Sequence, residues 1–147
     1  MKKSDPPISV SIITQAPKAF IWKALTDLDT MKAWYFSNID QFKAEVGSKS
    51  SFLVENEGRQ FTHTWEVIEV TQEASITYTW NYPEYPGFAE VSFNITVIDE
   101  HTNKVTVSLV VLEDYPQDIP EFKRESCIGG WEYFMGRLNS FLNAQTT

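Results

Sequence analysis

The spacing of apolar residues along this sequence changes late in the chain, near Tyr115-Pro116. That change limits the folds that the chain can adopt. Upstream, from about residue 42, apolar and polar residues alternate, which is typical of strands with one buried face. Downstream, apolar residues recur every three or four positions, which is typical of an amphipathic helix. A chain with this pattern has to cover the apolar face of a sheet with a long C-terminal helix.

The alternating pattern predicts a first strand at Ile8–Thr14 and further strands after residue 42. These are Ser51–Glu55, Gln60–Val70, Ser75–Asn81, Phe88–Asp99 and Lys104–Glu113. Their short connections favour an antiparallel meander. Two short helices are predicted after the first strand, one starting at Pro17 and one capped by Asp29. The sequence therefore predicts an α+β fold in which a curved antiparallel six-stranded sheet wraps around a long C-terminal helix, as a single domain over residues 1–147.

The long helix has a predicted start and a predicted buried face. Asp118 and Glu121 have the Asp-x-x-Glu spacing of a capping box, which marks its first turn. Gly129 and Gly130 then interrupt it, either to allow close packing or to form a hinge that admits a ligand. The residues predicted to share its buried face are Cys127, Trp131, Phe134, Leu138 and Phe141.

Aromatic residues make up 14% of the chain, with 5 Trp, 6 Tyr and 10 Phe, which is more than a small solid core needs. A strongly curved sheet that holds one helix leaves space between the two, so we expect these rings to line a cavity. The predicted cavity-lining and ligand-binding residues are Trp34, Phe36, Arg59, Phe61, His63, Trp65, Tyr78, Trp80, Phe93, Val107, Leu109, Cys127, Trp131 and Phe134.

Two polar residues of this set lie on the strand that follows the first hairpin turn. By period two, Arg59 and His63 share a face with Trp65. His63 could orient a polar group of a ligand, and Arg59 could pair with a carboxylate or a phosphate. Alternatively, His63 is a hydrogen-bonded core histidine and Arg59 a solvated strand end. The predicted register places no carboxylate next to His63.

Charge and cysteine content exclude several classes of protein. A net charge of −8 argues against nucleic acid or an anionic membrane as a partner. The single cysteine, Cys127, excludes an intramolecular disulfide and a cysteine-based zinc site. With only His63 and His101 as histidines, neither a metal nor another cofactor is expected. No signal-peptide-like or membrane-spanning segment is recognised, so we expect a cytoplasmic protein.

Several motifs together resemble the family of activator of heat-shock-protein-90 ATPase homologues. Ala16-Pro17, Ile21-Trp22 and the Leu25-Thr26-Asp27 turn resemble its N-terminal pattern. Thr79-Trp80 resembles the end of its paired strands, and Gly130-Trp131 its C-terminal helix. The resemblance implies the helix-grip fold of the START-like (SRPBCC) superfamily, shared with birch-pollen allergen, START lipid-transfer domains and polyketide cyclases. Because that fold hosts many activities, it does not select a function by itself.

Three functions are compatible with these observations. The first is a non-enzymatic START-like domain that binds a small hydrophobic or aromatic molecule, or a lipid, between the sheet and the C-terminal helix. The second, which the resemblance implies, is a chaperone-activator-like module that binds a protein partner through its outer surface. The third is a cyclase-like or hydrolase-like enzyme that uses His63. No nucleophile elbow or phosphate-binding loop is present, so no catalytic residue is assigned.

Overall fold

The computed structural model describes residues 1–146, with side chains through residue 144. The described chain forms six strands and three α-helices, with a 3-10 turn at Pro120–Phe122. In chain order they are β1 (Ile8–Thr14), α1 (Lys18–Thr26), α2 (Leu28–Trp34), β2 (Lys49–Asn56), β3 (Arg59–Thr71), β4 (Ser75–Trp80), β5 (Phe88–Asp99), β6 (Thr102–Glu113) and α3 (Arg124–Thr146).

The strands form one antiparallel sheet in the order β1-β6-β5-β4-β3-β2. From β2 to β6 each strand pairs with the next one in the chain, so the predicted meander is confirmed. The sheet is curled into a half-barrel that holds α3, and β1 and β2 form its two edges. The α+β architecture predicted from the hydropathy pattern is therefore confirmed.

Period-two alternation on the central strands determines which side chains reach the core. Phe61, His63, Trp65 and Val67 are all buried along β3, and the residues between them are at least partly exposed. On β4 the buried residues Ile76, Tyr78 and Trp80 alternate in the same way. The register shifts where β3 pairs with β4, between Val67 and Glu69. The face assignment made from the sequence for β3 is therefore correct up to that irregularity.

Both helix caps proposed from the sequence are wrong. The carboxylate of Asp27, not Asp29, caps α2 by accepting hydrogen bonds from the Thr30 backbone N–H at 3.1 Å and from its hydroxyl at 2.8 Å. Glu121 lies in the 3-10 turn, and α3 begins only at Arg124. Asp118 makes no capping bond, because the chain bends at the turn and directs Glu121 towards the β2–β3 hairpin instead.

The buried face of α3 is rotated relative to the prediction. Trp131, Met135, Leu138 and Leu142 are buried, whereas Cys127, Phe134 and Phe141 are only half-buried and flank that ridge. Spacings of three and four fit two neighbouring ridges of one helix, and packing decides between them. No helix within residues 1–146 is both long enough and apolar enough to cross a membrane.

Candidate functional site

A cavity of about 160 Å³ lies between α3 and the concave face of the sheet. Part of the predicted lining is found there: Phe36, His63, Trp80, Leu109, Cys127, Trp131 and Phe134. The sequence did not identify the remaining lining residues, which are Met1, Tyr82, Tyr115, Glu121, Phe122 and Gly130. Most of these follow the ends of strands or precede α3, where neither hydropathy period places a side chain.

The other residues proposed from the sequence lie outside the lining. Trp34, Phe61, Trp65, Tyr78, Phe93 and Val107 are all buried in the core beside the cavity. Trp34, for example, donates a hydrogen bond from Nε1 to the carbonyl oxygen of Ala24 at 2.7 Å and so anchors α2 to α1. Arg59 is partly exposed and is discussed below. Much of the aromatic surplus therefore builds solid core, because the rings pack on one another.

Tyr35 is central to that packing. Its ring stacks on Trp34 at 4.6 Å between centroids and on Trp65 at 5.5 Å. Its hydroxyl lies 2.9 Å from the hydroxyl of Tyr78. Burial raises the pKa of both tyrosines, so both stay neutral. These rings fill the core beside the cavity, whose helical wall is formed by Cys127, Gly130, Trp131 and Phe134 of α3.

His63 is the most informative polar residue of the lining. Its Nδ1 lies 3.1 Å from the carbonyl oxygen of Phe61. A carbonyl oxygen only accepts hydrogen bonds, so Nδ1 carries the proton and Nε2 has a free lone pair. Burial lowers the pKa of His63 to about 4, which keeps the ring neutral at pH 7. Among residues 1–146 no side chain or backbone group donates to Nε2, which keeps some accessible surface; the fully buried polar atom without a partner in these residues is Nε1 of Trp65.

Two tyrosine hydroxyls and one tryptophan form a second polar group in the wall. Trp80 donates from Nε1 to the hydroxyl oxygen of Tyr82 at 2.6 Å. Tyr115 donates its hydroxyl proton to the carbonyl oxygen of Trp80 at 2.7 Å. Burial raises the pKa of both tyrosines. The Tyr82 hydroxyl therefore accepts one hydrogen bond and keeps its own proton, for which the described residues offer no acceptor.

An ion pair lies at the end of the cavity nearest the β2–β3 hairpin. Arg59 donates from Nε to Glu121 at 2.8 Å and from a terminal nitrogen to the same carboxylate at 2.9 Å. The side-chain amide of Asn56 adds a third hydrogen bond at 2.6 Å. The hydrogen bonds from Arg59 lower the pKa of Glu121. The carboxylate partner expected for Arg59 is thus supplied by the protein itself.

The remaining reactive group in the lining is the thiol of Cys127. Burial raises its pKa to about 11, so the thiol stays protonated and is a poor nucleophile at neutral pH. None of the titratable groups described above has a pKa close to neutral, which general acid–base chemistry at pH 7 favours. Within residues 1–146 no cluster of three or more histidine, cysteine or carboxylate side chains could hold a metal ion.

Gly130 faces the cavity from α3, and neither it nor Gly129 is closely packed. A Cβ atom built on either glycine would meet no atom within 4 Å outside its own helix backbone and its neighbours in the chain. The close-packing explanation for this glycine pair is therefore wrong. Because Gly130 lines the cavity and Gly129 does not, a larger side chain at Gly130 is the substitution of this pair that can fill the cavity.

Comparisons with known proteins agree with this geometry. Residues 15–143 match the family model described as activator of Hsp90 ATPase homolog 1-like protein. No curated protein matches the sequence. Among solved structures, a Mesorhizobium loti protein is 21% identical with a TM-score of 0.74, covering 95% of this chain and 98% of that one.

Two further solved structures have the same fold. The Aha1 dimer from Colwellia psychrerythraea is 21% identical with a TM-score of 0.69, over 94% of this chain and 96% of that one. CalU16 from Micromonospora echinospora is 15% identical with a TM-score of 0.67, over 95% of this chain and 78% of that one. At these identities the likeness establishes the helix-grip fold and leaves the activity open.

Proposed function

The chain belongs to the family of activator of Hsp90 ATPase homolog 1-like proteins, and on that basis we propose that it binds a small hydrophobic or aromatic molecule between α3 and the sheet. The observation that carries this proposal is the cavity of about 160 Å³ around His63. Its walls are mostly aromatic side chains with a few polar atoms, which is the usual composition of a small-molecule site.

The volume limits the size of the ligand. An apolar cavity of about 150 Å³ in a protein interior holds one benzene molecule. A cavity of about 160 Å³ therefore accommodates a single six-membered ring with a small substituent, whereas a lipid would have to extend out of it. Within the ligand classes considered from the sequence, single-ring molecules fit best.

Ring contacts in the wall support an aromatic ligand. Trp80 and Trp131 meet edge to face at 5.4 Å, and Phe36 and Phe134 lie 4.8 Å apart between ring centroids. These rings offer faces and edges to a further ring, and such pairs add about 0.5–1.5 kcal/mol each beyond apolar burial. A flat aromatic ligand would extend a cluster that the fold already builds.

The proposal is tested by following the indole N–H signals of Trp80 and Trp131 by NMR during titration with toluene. We expect saturable shifts of both signals. In Gly130→Leu the new side chain occupies the cavity, so the shifts should disappear. Gly129→Leu places the same side chain on the neighbouring position, which does not line the cavity, and should leave them intact. Absence of any saturable shift across a panel of single-ring aromatic molecules would refute the proposal.

A second candidate function is binding of a chaperone partner, which the family membership supports. On β6, Val110 and Leu112 are exposed while Leu109 and Val111 are buried, so apolar side chains lie on the outer face of the sheet. If this surface is the functional one, stimulation of a chaperone ATPase should survive the cavity-filling substitution Gly130→Leu and fall in Val110→Lys. Loss of stimulation in Gly130→Leu alone would instead favour the cavity.

A further inference from the structure

An unpaired hydrogen-bond acceptor in the cavity wall indicates which aromatic molecules the site prefers. The Nδ1–H of His63 is engaged with the Phe61 carbonyl oxygen, so the opposite nitrogen, Nε2, is the acceptor that the ring offers to the cavity. The ring itself is held by stacking on Phe52 at 5.0 Å with an interplanar angle of 14°. It cannot turn to exchange its two nitrogens without losing the Phe61 hydrogen bond.

A ligand that displaces water from the cavity has to replace the hydrogen bond that water can make to Nε2. A polar atom left without a partner after that displacement costs about 1–3 kcal/mol. The ring of His63 is surrounded by aromatic rings, among them Trp80 at 5.2 Å and Tyr82 at 4.9 Å between ring centroids. A ligand that brings a hydrogen-bond donor into the cavity removes this cost.

The hydroxyl of Tyr82 supplies the complementary group. It accepts from Trp80 and retains a proton for which no described residue offers an acceptor, and its ring packs edge to face against His63. One wall of the cavity thus offers an acceptor on His63 and a donor on Tyr82. A hydroxyl group is the small substituent that can donate one hydrogen bond and accept another at the same time.

Anionic ligands suit the cavity less well. The lining carries the carboxylate of Glu121, to which the guanidinium of Arg59 is bound. The N-terminal ammonium of Met1, which also lines the cavity, donates to the carbonyl oxygen of Phe122 at 2.7 Å. An aromatic carboxylate would therefore lose its hydration shell and lie near Glu121, while both of these cations already have protein partners. A phenol keeps its proton at pH 7 and avoids this cost, since the phenolic pKa is about 10.

We propose that the cavity selects a neutral, single-ring phenol, whose hydroxyl donates to Nε2 of His63 and accepts from Tyr82. This inference rests on the proposed function, because it names the ligand class of the same cavity. It adds a discrimination that size and apolarity do not provide: phenol and toluene have nearly the same shape, and only phenol pairs the free acceptor.

The test compares the dissociation constants of phenol and toluene for the native protein and for His63→Phe. The variant keeps an aromatic ring against Phe52 and removes the acceptor. We expect the preference for phenol over toluene to fall by roughly 3- to 10-fold in the variant, which is the effect of one neutral hydrogen bond. Taking the ratio cancels the different hydration of the two ligands. The control His101→Gln, in an exposed turn away from the cavity, should leave the ratio unchanged.

A measurement on the native protein avoids any effect of substitution on folding. The ¹⁵N signal of Nε2 of His63 should move towards that of a hydrogen-bonded nitrogen when phenol is added and should not do so with toluene. Suppose that both ligands bind, that the phenol-to-toluene ratio is the same in His63→Phe as in the native protein, and that the Nε2 signal responds equally to both ligands. The phenol assignment is then wrong while the proposed function stands. If neither ligand binds, the phenol assignment and the proposed function are both wrong. Benzoate binding as tightly as phenol would overturn the preference for neutral ligands.

Discussion

Arg59 and Glu121 form a two-point hydrogen-bonded ion pair, with Nε 2.8 Å from one carboxylate oxygen and a terminal nitrogen 2.9 Å from the other. The pair joins the start of β3 to the 3-10 turn that precedes α3. Since Glu121 and Phe122 of that turn line the cavity, this contact holds part of the cavity wall in place. A contact between residues 62 positions apart in the chain thereby determines the shape of one end of the site.

Glu121→Gln should lower the thermal stability at neutral pH, because it removes the charge that Arg59 binds. The hydrogen bonds from Arg59 lower the pKa of Glu121, so its contribution is complete above the ordinary value of 4.5 and is lost as the pH falls through the lowered pKa. Melting curves of the native protein and the variant should therefore differ at pH 7 and converge in acid. Glu132→Gln, on the exposed side of α3, controls for loss of charge alone; a constant difference at all pH values would contradict the role given to the ion pair.

His63 should make the native protein less stable as the pH falls from about 6.5 towards 4. Burial lowers its pKa to about 4, so between these values the unfolded chain binds a proton that the folded protein does not. The total effect is roughly 3 kcal/mol, from about 1.4 kcal/mol for each pKa unit. Urea unfolding of His63→Phe should show a flatter pH dependence in this window, with His101→Gln as the control. The charge of Glu84 raises the pKa of His63 slightly against the larger effect of burial. Identical pH profiles for His63→Phe and the native protein would show that His63 is not buried in neutral form.

Gly129→Ala and Gly130→Ala should each stabilise the protein by about 0.5–1 kcal/mol. A Cβ atom at either position meets no atom within 4 Å outside the helix backbone, so the gain in helix propensity is not opposed by a clash. Denaturant unfolding measures both values. A loss of stability in Gly130→Ala would mean that α3 approaches another element more closely at this residue than the structure indicates.

Gly87→Ala should be strongly destabilising. The backbone at Gly87 has φ +120°, and a Cβ atom there would lie within van der Waals overlap of the Tyr115 ring. Strain and overpacking together are worth about 2 kcal/mol or more. Gly47→Ala is the matched control, because Gly47 also has a positive φ but open space around it, and should cost only about 1 kcal/mol. Equal losses in the two variants would exclude a close approach of Tyr115 to Gly87.

Tyr35→Phe and Tyr78→Phe should behave as a coupled pair. Either substitution alone leaves the other buried hydroxyl without this partner, at a cost of about 1–3 kcal/mol. The double variant should be more stable than the sum of the single losses predicts, by about 1 kcal/mol. Unfolding free energies of the four proteins complete the cycle, and strict additivity would show that the two hydroxyls do not interact.

Local pattern was sufficient for the architecture and for the inward face of β3. A strand alternates its side chains with a period of two, so the positions of Phe61, His63 and Trp65 on one face follow from the order of the residues. The aromatic surplus correctly pointed to rings on the inner surface. It did not distinguish rings that line a cavity from rings that fill the core, because both are apolar and both are buried.

The composition of the cavity wall depended on contacts between distant segments. The spacing between Asp118 and Glu121 predicts a helix cap, and only the approach of the β2–β3 hairpin directs Glu121 to Arg59. Tyr82 and Tyr115 follow strand ends, where no period predicts the direction of a side chain. The sequence by itself therefore determined the fold and the inward face of His63. The tertiary structure decided which atom of His63 stays unpaired and how much space faces it. The size of a cavity depends on the relative positions of several packed elements, which no local pattern in the sequence encodes.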